Sequence, residues 1–224
     1  MKIRIDLLKP YLYFILLYVI INISNRVSII AVQNKLAIII AVLWMFVTIA
    51  LYFLYMRKNN NTNIIILYSL SNAIIGGIAI SSYYSLKNVV PYPTIALVFV
   101  FSGIMVINFC LINVVKRKIL FTKINIVMTI ILMISSICLW IEDYQSLGSS
   151  LVFLTVIYLC FSIALHQVVK RSLDWSSIIP ISSLLMFGGL LLVVIIAITE
   201  GDGLEVLDLD FDFPGDKKKK SISK

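Results

Sequence analysis

Ile64-Ile-Ile-Leu-Tyr-Ser-Leu-Ser-Asn-Ala-Ile-Ile-Gly-Gly-Ile-Ala-Ile-Ser-Ser-Tyr-Tyr84 runs for 21 residues without a single charge. As a helix rising 1.5 Å per residue it is about 30 Å long, the thickness of a bilayer's hydrocarbon core. Six more stretches of the same kind surround it: Leu7–Ser24, Leu36–Met56, Pro93–Val115, Ile124–Ile141, Leu151–Val169 and Ile178–Thr199. None carries a charge in its interior. Lipid offers backbone groups no partner, and these segments are too long for barrel strands, so they must be helices. The expected fold is an all-α polytopic bundle of seven transmembrane helices over residues 1–199, with a tail at 200–224.

Composition agrees. The chain is 61% hydrophobic and only 13% charged, with a mean hydropathy of +1.03, far outside the range of soluble domains. The net charge of +8 does not imply a nucleic-acid partner, because the cations are scattered through short loops rather than gathered on one face. They mark orientation instead. Lys2, Arg4, Lys9, Arg57, Lys58, Lys116, Arg117, Lys118, Lys123, Lys170 and Arg171 fall on one side. The other side has Arg26, Lys35 and Lys87. Eleven against three predicts a cytoplasmic N-terminus and, after seven spans, an extracytoplasmic C-terminus. After Asp6 no Asp or Glu occurs before Glu142. The basic N-terminus resembles a signal peptide, but no small-residue cleavage site follows it, so an uncleaved first span is expected. The Ile-rich, Asn- and Lys-punctuated composition points to a bacterial plasma membrane.

In the quoted span Ser69, Ala73, Gly77 and Ser81 recur every four residues, with Asn72 and Gly76 beside them. Small residues on one face let a neighbouring backbone approach closely. The stripe therefore reads as helix packing or, with the Asn72 amide, as a solute path. Gly188 and Gly189, following Pro180 and Ser182-Ser183 in the last span, read the same way. They raise the idea that spans one to three and five to seven repeat, although the remaining residues do not match. Pro180 is expected to kink the first turns of its span. His166 is the single histidine. It lies one turn from Lys170, as an interfacial side chain or a proton-sensitive group.

Chemistry is otherwise sparse. Cys110, Cys138 and Cys160 sit in separate spans with no paired spacing, so neither disulfide nor metal site is expected. No G-x-S-x-G or H-E-x-x-H pattern and no paired carboxylates occur in a span, and the last span has no lysine for a Schiff base. No enzyme, cofactor or metal is expected. In the tail, Leu207, Asp208, Leu209, Asp210, Phe211, Asp212 and Phe213 alternate strictly, the period of a strand, before the run Lys217–Lys220. Such a segment reads either as a disordered acidic–hydrophobic tail or as a strand that docks on the outer mouth or contacts a partner. The aspartates do not make an EF-hand loop, since Phe213 and Lys219 occupy the positions of its glycine and its bidentate glutamate.

Two function classes fit best, ahead of a lipid-modifying enzyme. One is a non-enzymatic membrane interaction protein (an immunity, sensor or accessory subunit) whose partners are the lipid bilayer and another membrane protein or a peptide. The other is a small permease or channel subunit for a neutral or apolar solute. The tail favours the first, because transport alone gives no reason for the alternation.

Overall fold

The computed structural model describes residues 8–31, 34–58, 61–114, 118–142, 144–171 and 175–199. Every regular element among them is helical: α1 (Leu8–Ala31), α2 (Asn34–Leu51, continued by a wider π turn at Tyr52–Met56), α3 (Thr62–Leu86), α4 (Thr94–Val114), α5 (Lys118–Ile141), α6 (Gln145–Arg171) and α7 (Trp175–Thr199). All seven are long and apolar enough to cross a membrane. The chain is a multi-pass membrane protein in contact with the bilayer. Short connections make successive helices antiparallel. The start of α1 therefore shares one end of the bundle with the ends of α2, α4 and α6 and the starts of α3, α5 and α7; that end is the α1 end below.

The helices begin and stop for local reasons. Asn61 caps α3, its side-chain oxygen accepting from the Asn63 N–H at 3.1 Å, which satisfies one of the free donors at a helix start. At the other end Asn88 takes a left-handed conformation, φ 52°. Val89 N–H then reaches the Tyr84 carbonyl at 3.0 Å and Asn88 N–H the Ser85 carbonyl at 3.3 Å. This pair of bonds closes a helix C-terminus, and Pro91 and Pro93 prevent its resumption.

Two helices form the middle. In α3 and α6, 56% and 61% of the most apolar window is buried, against 17% in both α2 and α5. Helix α3 packs on α1, α2 and α7, α6 packs on α5 and α7, and α4 leans on α1. Lipid tails are as apolar as leucine, so burial alone does not hold such helices together; close packing and interhelical hydrogen bonds must. The packing is aromatic near the α1 end, where Tyr11 and Phe14 meet Phe161 edge-on at 4.9 and 5.2 Å between ring centroids. Tyr18 stacks on Phe101 at 4.4 Å.

The helices overrun the apolar stretches. Helix α5 starts at Lys118 rather than Ile124, α6 at Gln145 rather than Leu151, and α1 continues past Ser24 to Ala31. Arg26, expected in a loop, therefore lies in α1. Its guanidinium donates to the carbonyls of Pro91 (2.8 Å) and Tyr92 (2.7 Å) and to the Thr94 hydroxyl (3.3 Å). Helix α7 runs through Pro180 as one element.

Candidate functional site

The densest chemistry in the bundle is a cluster of neutral polar side chains near the α1 end. Asn108 on α4, Asn125 on α5 and Tyr158 on α6 are 2%, 5% and 0% exposed. Groups so deep must find partners in the protein. Asn125 Oδ1 accepts from Asn108 Nδ2, from the Tyr158 hydroxyl at 2.8 Å and, at the limit of a bond, from Ser162 at 3.5 Å. Asn125 Nδ2 donates to the Phe121 carbonyl at 3.1 Å. Asn108 Nδ2 also approaches the Tyr158 oxygen at 2.9 Å, while its Oδ1 accepts from the Tyr11 hydroxyl on α1 at 2.7 Å. Four helices meet at this cluster.

Beside it a cleft of about 510 Å³ separates α5 from α6. Asn125 and Ser162 bring the cluster to its wall, and Ile126, Ile130, Leu159 and Ile163 line its apolar part. At the α1 end of the cleft the Thr122 hydroxyl and His166 Nδ1 are 2.8 Å apart. Gln167, one residue on, has its side-chain oxygen buried without a hydrogen-bond partner. His166 is thus half-buried in a cleft wall, paired with a hydroxyl.

The residues of the α3 stripe serve several neighbours. Asn72, fully buried, accepts from Trp44 Nε1 on α2 at 3.0 Å and donates to the Ser183 hydroxyl on α7 at 3.3 Å. Gly77 stands against α1: a Cβ there would lie 2.5 Å from the Ile21 carbonyl oxygen. Ser24 on α1 donates to the Ile74 carbonyl of α3 at 2.7 Å. Gly76 faces Leu190 and Phe187 of α7. Ser69 and Ser81 donate to carbonyls of their own helix, Ile65 and Ile78, and Ala73 is fully buried. On α7, Gly188 faces Met45 of α2 and Gly189 faces Val156 of α6.

The far end of the bundle is tied by Tyr83 to Ser149 (2.6 Å) and Tyr84 to Ser150 (2.7 Å). A cavity of about 20 Å³, room for a water molecule, lies there beside Asn22, Asn25 and Tyr84. An apolar groove of about 250 Å³ opens near Met133, Ile137 and Val193. Neither cavity, nor the cleft, is bordered by Asn72, Gly76, Gly77, Gly188 or Gly189.

No known family model, curated protein or solved structure matches this chain. Its function must be argued from the geometry alone. The tail residues Leu207–Phe213 and the lysines after them lie outside the described residues. The sequence reading passed over Asn108, Asn125 and Tyr158. The available signal was the amides in two otherwise apolar stretches, Asn108 and Asn113 in one and Asn125 in the other, groups that cannot stay unpaired in lipid.

Proposed function

We propose that the chain is a non-enzymatic integral membrane interaction protein, an immunity, sensor or accessory subunit that presents a braced helix bundle to another membrane component. One observation carries this reading. The cluster takes Tyr11, Asn108, Asn125 and Tyr158 from α1, α4, α5 and α6, and the Asn72 bonds take Trp44, Asn72 and Ser183 from α2, α3 and α7. Together they engage one side chain from every helix. The two sets are joined in turn by the Gly77 contact with α1 and the Tyr83 and Tyr84 bonds to α6. Alternating access needs one group of helices to rock against another, whereas a cross-braced bundle suits a fixed surface. Asn72, the amide of the small-residue stripe, is engaged with Trp44 and Ser183, which supports packing over a solute path there. In this reading the N-terminus is cytoplasmic, the C-terminus extracytoplasmic, and the membrane a bacterial plasma membrane.

Native mass spectrometry after gentle detergent extraction at native expression level tests it. The expected result is a stoichiometric protein partner that disappears when residues 201–224 are deleted. A partner-free protein under several detergents, together with solute flux in liposomes, would replace this reading with a permease.

A further inference from the structure

We infer that the apolar groove at the far end of the bundle, between α5 and α7, binds one acyl chain of a membrane lipid. The site needs no protein partner and holds whichever function the bundle serves. Every residue around the groove lies within one of the seven apolar spans, so hydrocarbon surrounds its mouth. Helices α5 and α7 both pack on α6, and α6 supplies the floor of the gap between them. Val152 and Phe153 form that floor, Met133 and Ile137 of α5 one wall, and Ile196 and Ala197 of α7 the other. Met133, Ile137 and Ile196 are exposed at the rim, whereas Phe153 is buried.

Methyl and methylene groups that face a gap forfeit their dispersion contacts, so a groove of about 250 Å³ favours an occupant. Its walls restrict what that occupant is. Among the described residues around it, Tyr83 and Ser149 carry the polar side chains, and their hydroxyls bond to each other at 2.6 Å. Water finds no anchor there: an apolar cavity of about 150 Å³ stays dry and admits benzene instead. A peptide strand is excluded for a related reason, because its N–H and C=O groups would enter hydrocarbon with no partner. That argument applies to the alternating segment at 207–213. A helix of another protein, about 10 Å across, could lend the groove a side chain but could not enter it. An acyl chain is narrow, flexible and free of hydrogen-bonding groups, and it is the bulk component at this depth. Once seated, it becomes a packing element between α7 and α5, one of the least buried helices.

The test uses the full-length protein in phosphatidylcholine nanodiscs doped with a phosphatidylcholine that carries a diazirine midway along one acyl chain. After irradiation, mass spectrometry maps the adducts. A lipid outside the bundle reaches Ile134 and Leu192, both exposed and neither on the groove wall. Only a chain inside the groove reaches Phe153. Wild type should carry adducts at all three residues. Ala197→Phe, which places a ring in the groove, should lose the adduct at Phe153 and keep those at Ile134 and Leu192. Val193→Phe fills the groove from one turn away and should do the same, so the test stands if either variant folds, which thermal unfolding checks. Wild-type adducts confined to Ile134 and Leu192 would overturn the inference. So would labelling of Phe153 in a folded groove variant at the wild-type level. Labelling of Phe153 that appears only after residues 201–224 are deleted would give the groove to the tail instead.

Discussion

Gly77 and Gly76 are adjacent in sequence and opposite in what they tolerate. An added Cβ at Gly77 would meet the Ile21 carbonyl oxygen, the Ser24 Cβ at 2.7 Å and the Asn25 nitrogen at 2.9 Å. Two of these are backbone atoms, which cannot turn aside, so α1 and α3 would have to separate. Gly77→Ala should cost about 1–3 kcal/mol. At Gly76 the nearest atoms are side-chain ends at 3.4 and 3.7 Å, and Gly76→Ala should be neutral or gain up to about 1 kcal/mol from helix propensity. Gly103, with nothing within 4 Å, is the control. Thermal unfolding in one detergent compares all three, and equal losses at 76 and 77 would mean that the α1–α3 approach is looser than described. The Asn–Tyr cluster makes a second residue-scale claim. Asn108→Leu and Tyr158→Phe should couple in a double-mutant cycle by about 0.6–1.7 kcal/mol, the range of interhelical bonds in membranes, and strictly additive losses would deny that the two share a network. The glycine stripe was legible because four-residue spacing is visible within one helix. The cluster was not, because Tyr11 and Asn108 stand 97 residues apart, and only the packing reveals which faces meet.

At the scale of the element, α2 depends on few attachments. It is among the least buried helices. Its polar ties to α3 are the Trp44–Asn72 bond and the Tyr68 hydroxyl on the Thr48 carbonyl at 3.0 Å. Asn72→Leu removes the first and leaves a buried indole N–H unsatisfied. Amide exchange in α2 should quicken roughly three- to twentyfold, while α6, braced by α5 and α7, should not change. Hydrogen-exchange mass spectrometry in detergent separates the two, and equal acceleration in α6 would show that Asn72 supports the whole bundle. All seven elements were legible, since an uncharged run of about 20 residues has few other fates. Their ends were not. Hydropathy marks the hydrocarbon slab, but helical hydrogen bonding does not stop at its edge, so α5 and α6 begin six residues early at Lys118 and Gln145. The same overrun carries Arg26 into α1. There it fastens the start of α4 rather than serving as a free loop cation.

Over the whole molecule, that reassignment leaves Arg26 on the side where the sequence placed it. Arg26 keeps its charge when held by two carbonyls and a hydroxyl, so the asymmetry read from the sequence, eleven cations against three, is unchanged by it. Cations near span ends resist translocation, so the α1 end should face the cytoplasm. Alternating helices place Lys58 at that end and Val90, 74% exposed, at the other. In a background with Cys110, Cys138 and Cys160 replaced by alanine, Val90→Cys should react with a membrane-impermeant maleimide on intact cells. Lys58→Cys should react only after the membrane is opened. The reverse pattern would put residues 200–224 in the cytoplasm and the α5–α6 cleft at the outer leaflet.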